Sequence, residues 1–486
     1  MSEGCGAKMQ RTGRLLTDYY ADRDVRARLR EFLGGTTLDE ATSVFVTGNG
    51  HSAERWYDPK PVDELWKLLE EGREVARSLW DRRSLIADLD IEYVNFDASL
   101  GPYLEPTRTF EIQRPVFRAI QALLLRHGIA PLHLMSGRGH HFVWRIAQDS
   151  PAFALLAKIG HVGETLGGRY SQPQPPLGEV VPKAFGAAFA GLGLLMEFVA
   201  QEVLDAAGRV CRIPIELTAV EAVPGTHGRE IVSIDVSEYG DPLHVRSVRV
   251  PFSAYLKPMH QEGLRGEGAA DALLPLFMIP LHEMDDCQAV LAMRDVGAAI
   301  DLARYASVRI PDESVGTEEL IAAYGKSKLA RFHEFFHAAR HDPPESWPDT
   351  YDRTPLESLP PCARRILQQP NDLLLKPAGI QHVVRVLMAV GWHPRHIAGL
   401  IRSKYERDFG WGSHWYCYDA ATRADFYTRL FAGLIATGRD ALADFDCRSM
   451  LAKGYCDRVD CRDGLERLRQ DLLERRDALS TLEVKP

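Results

Sequence analysis

The stretch "PLHLMSGRGHHFVWRI", Pro131 to Ile146, limits what this chain can fold into more than any other. Two apolar runs flank a tight turn that carries a serine, an arginine, two glycines and two histidines, which reads as a β-hairpin with a basic, exposed tip. Just upstream, "RPVFRAIQALLLRHG" has apolar residues at helical spacing and is stopped by Gly128. Before that helix, "SLIADLDIEYV" reads as a strand. Strand, helix, strand, turn, strand in that order predicts an α+β fold, a mixed sheet with helices packed on one face.

The remaining chain is read around that unit. The first 80 or so residues look mainly helical, with "VDELWKLLEEGREVARSLW" as the clearest case. "SQPQPPLGEVVP" is a proline-rich loop, and a long helix follows from about Lys183 to Ala207. "REIVSIDVSEYGDPLHVRSVRVPFSAYLKP" suggests two strands around a turn at Gly240-Asp241-Pro242, and residues 265–340 are helical again. "HDPPESWPDTYDRTP" is dense in proline and charge and reads as a linker. Beyond it the chain is helical and holds five of its eight cysteines.

With 58 basic against 67 acidic residues the formal charge is −9, so any polyanion site must be a local patch. The N-terminus has no apolar core of the kind a secretory signal needs. The longest uncharged run, Ala184 to Met196, is short of the roughly 20 residues that span a bilayer. The expectation is a cytoplasmic protein without a membrane partner, whose cysteines are thiols or metal ligands.

Asp88 and Asp90 carry the first chemical signal. Alternation along a strand puts both carboxylates on one face, about 6–7 Å apart, where they repel each other unless a cation sits between them. Hard oxygen ligands favour Mg²⁺ or Mn²⁺, and Glu92 has the same parity. The hairpin supplies the complement. Gly137 and Gly139 can free backbone N–H groups for an anion, and Ser136, Arg138 and His141 add donors suited to phosphate oxygens.

Together these patches resemble the archaeo-eukaryotic primase superfamily, whose members carry a strand ending Asp-x-Asp, then Ser-Gly-x-Gly-x-His or a form one residue longer, then a strand ending in Asp. "IADLD" and "SGRGHH" match the first two, with His141 at the nucleotide-binding histidine and His140 at the variable position. "IVSIDV" supplies Asp235 for the third, with Asp241 as a rival. "HVRSVRVPFSAYLKP" looks like a further family stretch in which Arg246, Arg249, Ser253 and Lys257 fall at matching places, and Tyr255 stands where many members have histidine. The resemblance implies a small-subunit-type, RRM-like catalytic sheet. Asp88, Asp90 and Asp235 would hold two divalent ions, and Ser136, Arg138, His141, Arg246, Arg249 and Lys257 would seat a nucleoside triphosphate.

Near the end, "CRSMLAKGYCDRVDC" gives Cys447, Cys456 and Cys461, and "LPPCARRIL" gives Cys362 upstream. Thiols this close in a cytoplasmic protein argue for a metal, and ligand type alone does not separate zinc from iron–sulfur. The pattern resembles the C-terminal domain of the primase large subunit, which implies a four-iron four-sulfur cluster on these four cysteines, with Zn²⁺ as the alternative and Cys417 as a spare thiol. The arginines and lysines between Cys362 and Tyr405 suggest a basic surface for a single strand. The divisions that follow are a catalytic domain over 1–263, a helical connector and linker over 264–345, an all-helical metal-binding domain over 346–470 and a tail over 471–486.

The expected activity is that of a primase-polymerase, a DNA-directed nucleotidyltransferase copying single-stranded DNA from nucleoside triphosphates. A helicase and other replication or mobile-element proteins are the expected partners. A metal-dependent nuclease, and a non-catalytic nucleic-acid-binding protein of replication or defence, are the alternatives.

Overall fold

The computed structural model describes residues 16–49, 58–174, 177–260, 276–368, 372–406, 419–457 and 465–482. It is a mixed α+β protein built on two sheets. The larger one has the strand order β10-β5-β6-β4-β8-β7. Its centre is β4 (Ser84–Asn95), flanked by β6 (Gly139–Ala147) and β8 (Glu230–Asp235), with β5 (Leu132–Met135), β7 (Ile215–Leu217) and β10 (Ile279–Pro280) outside them. All pairings are antiparallel except β7 with β8. The smaller sheet runs β2-β1-β3-β9, from β1 (Val46–Asn49), β2 (Pro59–Lys60), β3 (Glu74–Ser78) and β9 (Ser247–Arg249).

The strand–helix–strand–turn–strand unit forms as its pattern dictates. The helix Pro106–Arg126 ends two residues before Gly128, which sits at φ +68° where a side chain would be strained. Register in the hairpin is fixed by packing. A Cβ on Gly139 would lie 1.9 Å from the carbonyl oxygen of Ile91, so only glycine lets β6 close onto β4. Neither Gly137 nor Gly139 has positive φ, and a Cβ on Gly137 would meet Leu276 and Tyr255 within 3 Å. The turn is therefore a packed, buried joint instead of an exposed anion nest.

Two other expectations are revised. The predicted helix after Val62 stops at Glu70, because Gly72 turns left-handed and "EVARS" enters the smaller sheet as β3. The two strands around Gly240 do not form a hairpin: β8 belongs to the larger sheet and β9 to the smaller one. Short 3-10 segments, Ser237–Gly240 and Leu243–Val245, carry the chain between them.

Helices cover one face of the larger sheet. Lys183–Ala207 is, among the described residues, the only helix long and apolar enough to cross a membrane, but 78% of its apolar window is buried inside the protein. Its small residues permit that burial, since a Cβ on Gly191 would meet the Leu156 carbonyl oxygen of the helix Pro151–Ile159 at 2.1 Å. The same helix buries Glu197, which is held by Arg429 and, at 3.0 Å, by His333. Removing one member of such a buried network costs about 3–5 kcal/mol.

The C-terminal half is helical, through Pro361–Gln368, Pro377–Ala389, Pro394–Tyr405, Ala420–Ala436, Cys447–Ala452 and Leu465–Leu482. The proline-rich stretch before it is folded: Trp347 and Tyr351 are buried, and the Tyr351 hydroxyl lies 3.2 Å from His396 Nδ1. One apolar core runs from Leu16 to Leu472.

Candidate active site

The site grows out of one face of β4. Alternation turns Asp88, Asp90 and Glu92 to the face opposite the helix Pro106–Arg126, and the register does the rest. His141 of β6 and Asp235 of β8 are both paired with Asp90, one on either side. Asp88, Asp90, Asp235 and His141 thus come from three adjacent strands onto one patch, and Asp235, not Asp241, is the third acid. Asp241 is instead held by Arg246 and, at 2.8 Å, by Arg423.

His141 stands between the acids. Its Nδ1 is 3.1 Å from Asp88 Oδ2 and its Nε2 is 3.6 Å from Asp90 Oδ1. Burial lowers its affinity for a proton, but the charges of Asp90 and Asp88 outweigh burial and lift its pKa to about 9. An imidazolium therefore neutralises part of the acid cluster.

It does not neutralise all of it. Burial first, then the charges of Glu92, Asp88 and Asp235, push the Asp90 carboxyl well above the usual range against the pull of His141. One oxygen of Asp90 is buried without a hydrogen-bond partner.

A fourth acid escaped the sequence reading. Past the end of β8, the 3-10 segment Ser237–Gly240 turns Glu238 towards the cluster. Burial and the charges of Asp88, Asp235 and Asp90 raise its pKa strongly despite Arg246, and its Oε1 is also buried without a partner. The next residue, Tyr239, takes over where β8 stops: its hydroxyl donates to Asp88 O at 2.7 Å and lies 3.2 Å from Asp88 N. No periodic signal marks Glu238, because an irregular turn has none.

Orphaned carboxylate oxygens among crowded like charges are what a divalent cation relieves, and an all-oxygen donor set suits Mg²⁺ or Mn²⁺. Asp88, Asp90, Asp235 and Glu238 fit such a group. Among the described residues no three His, Cys, Asp or Glu side chains already close into a finished cage, and His141 occupies the middle.

The expected phosphate grips have partners of their own. Arg138 pairs with Glu92, and Lys257 Nζ is 3.1 Å from the same carboxylate. The two cations hold Glu92 well below the usual range against burial, and Glu92 is their counter-ion. Arg249 pairs with Glu74 at 2.7 Å and lies over the Tyr255 ring, 4.5 Å from its centroid. Arg246, besides Asp241, donates to Ser237 O at 3.3 Å. Ser136 is buried and closes its own turn through Gly139 O, and Ser253 does the same through Val250 O at 2.6 Å. His140 faces the other way, stacked on Phe117 and 3.0 Å from His133.

In the C-terminal half, Cys362 is buried with its Sγ 3.1 Å from His382 Nε2. His382 is 2% exposed, and its Nδ1 has no hydrogen-bond partner. Its ring lies 5.6 Å from that of Phe445 and 6.5 Å from that of Tyr455, which brings the segments bearing Cys447 and Cys456 towards Cys362. His382 lies 20 residues from Cys362, and the sequence reading missed it. Cys461 and Cys417 lie outside the described residues.

Of the basic surface expected between Cys362 and Tyr405, Arg365 and Lys376 are exposed, while other members are paired with acids. Arg385 is buried between Asp440 and Asp444, Arg395 pairs with Asp425 at 2.9 Å, and Arg402 pairs with Glu406 at 2.7 Å.

Fold and site together define an α+β protein with a buried acid cluster on the sheet face opposite the helix Pro106–Arg126. No family model, no curated protein and no solved structure matches the chain.

Proposed function

We propose that this chain is a primase-polymerase, a DNA-directed nucleotidyltransferase with an RRM-like, primase-type catalytic sheet and a metal-bearing helical C-terminal part. The observation that carries the proposal is the meeting of Asp88, Asp90 and Asp235 on one sheet face across two strand pairs, with His141 between them. Asp88, Asp90, Asp235 and Glu238 would hold Mg²⁺ or Mn²⁺, which supplies neutralising charge for in-line displacement at a phosphorus atom. The chain's own residues do the positioning. The triphosphate of an incoming nucleotide competes with Glu92 for Arg138 and Lys257, and His141 donates to its oxygens once released from Asp88. Arg249 and Arg246 add positive potential from the β9 side.

Cys362, Cys447, Cys456 and Cys461 would hold a four-iron four-sulfur cluster, or Zn²⁺ as the alternative. The burial of Cys362 against His382, whose Nδ1 has no hydrogen-bond partner, is what supports a metal there. Single-stranded DNA and nucleoside triphosphates are the proposed substrates. A helicase or a mobile-element replication protein is the proposed partner, in the cytoplasm.

The deciding experiment mixes the protein with single-stranded DNA, Mn²⁺ and either ribo- or deoxynucleoside triphosphates. Template-dependent pyrophosphate release that disappears in Asp88→Asn with Asp90→Asn is the expected result. Shortening of labelled DNA without pyrophosphate would instead make the site a nuclease. DNA binding unchanged by the double substitution, with no release by either protein, would make the chain a binding module.

A further inference from the structure

A groove of about 990 Å³ lies away from the acid cluster, between the outer side of the helix Pro106–Arg126, the turn after the helix Lys183–Ala207 and the loop leading into β8. Its charged lining is Arg108, Arg114, Arg118 and Arg212 against Glu111 and Glu230. On a chain of net charge −9 this is a local reversal of sign. Glu230 is already taken by Arg108 at 2.7 Å, and Arg114 reaches Asp286 at 3.3 Å in an exposed pair that stabilises little. Arg118 and Arg212 are exposed, and the structure gives them no ion-pair partner among the described residues. The lining between the arginines is apolar, from Ile112, Ala119 and Val210, and Val210 is left 64% exposed.

We propose that this groove binds the backbone of a single-stranded nucleic acid. Arg114 and Arg118 are one helical turn apart, about 6 Å along the axis, a spacing comparable with that of successive phosphates on an extended strand. Guanidinium groups grip phosphate oxygens two at a time, and bases stack on arginine planes and apolar surface. A concave groove suits a strand better than it suits a flat lipid surface. The choice of a nucleic-acid strand rests on the proposed function. Glu230 begins β8 and Asp235 ends it, five residues and about 17 Å further on, so the groove lies on the helix side of the sheet and the acid cluster on the other.

The test is fluorescence anisotropy of a labelled 20-nucleotide oligo-dT with the full-length protein over a series of salt concentrations. Arg118→Glu with Arg212→Glu is expected to raise Kd at least tenfold and to lower the salt slope by about 1.4, two phosphates' worth. Arg118→Lys with Arg212→Lys keeps Kd within about threefold, which separates lost charge from lost fold. Charge reversal at Arg331, an exposed arginine of another helix, leaves binding unchanged. An unchanged Kd and salt slope in the glutamate pair overturns the proposal. So does loss of binding to anionic vesicles or an acidic peptide while oligo-dT binding stays normal. If oligo-dT binding falls as expected but the wild-type protein releases no pyrophosphate, the groove stands and the polymerase reading fails. If pyrophosphate is released but binding is unmoved, the groove fails alone.

Discussion

His140 and His141 are neighbours in sequence, yet the two faces of the larger sheet treat them in opposite ways. On the helix-covered face His140 is packed against Phe110, Phe117 and His133, where burial and then the nearby histidines hold its pKa well below the usual value. On the opposite face Asp90 and Asp88 overcome the same burial and make His141 a cation. One face spends its polar groups on packing, while the other concentrates charge that packing alone leaves unsatisfied. The comparison shows that residue type carries little functional information until the face is known.

The contrast breaks most sharply at the acids. Asp88→Asn with Asp90→Asn is expected to reduce nucleotidyl transfer by on the order of 10³-fold, measured as pyrophosphate release. It removes the repulsion among the acids and the His141 ion pairs together, and should therefore change the melting temperature of the metal-free protein little. On the packed face, Gly139→Ala forces β6 off β4 and should cost about 3 kcal/mol in denaturant unfolding, with activity falling only as the folded fraction falls.

The pH response of the two faces should have opposite signs. His141 has a raised pKa in the fold, so its contribution to the stability of metal-free protein is fully present below the ordinary value of 6.5 and is lost as pH rises through about 9. His140 and His133 have lowered values, so they destabilise the fold as pH falls through 6.5, where the unfolded chain takes up protons that the fold refuses. Melting curves in chelator from pH 5 to 10 check this. His141→Gln should flatten the alkaline limb alone.

Two smaller effects sharpen the picture. His382→Ala is expected to weaken metal retention at the C-terminal cysteines about tenfold, read from metal content and the visible spectrum after anaerobic purification. Glu92→Gln frees Arg138 and Lys257 and should lower the Kd for a nucleoside triphosphate about threefold, an effect on the scale of one partly exposed ion pair, measured by calorimetry with a non-hydrolysable analogue.

Much of the site was legible because alternation is local. Two residues per strand period put Asp88 with Asp90, and set His141 apart from His140, without any knowledge of the fold. The packing of the turn at Gly137 and Gly139 was not legible for the opposite reason. Glycine in a turn has the same appearance whether it frees an N–H group or makes room for a neighbour, and the neighbours here, Ile91, Tyr255 and Leu276, lie far away in sequence. Arg385 was likewise read as surface because its partners, Asp440 and Asp444, are 55 and 59 residues on.

By itself, then, the sequence determined the α+β order, the hairpin, the acidic face of β4 and the presence of a cysteine-bearing helical end, since each depends on periodicity and spacing within a few residues. Tertiary structure decided that Asp235 faces Asp90, that Glu238 joins them from an irregular turn, that Arg138, Lys257, Arg249 and Arg246 rest against Glu92, Glu74 and Asp241, and that His382 meets Cys362. Strand register and side-chain pairing over long separations are chosen by the packing of the whole core, and no local pattern encodes them.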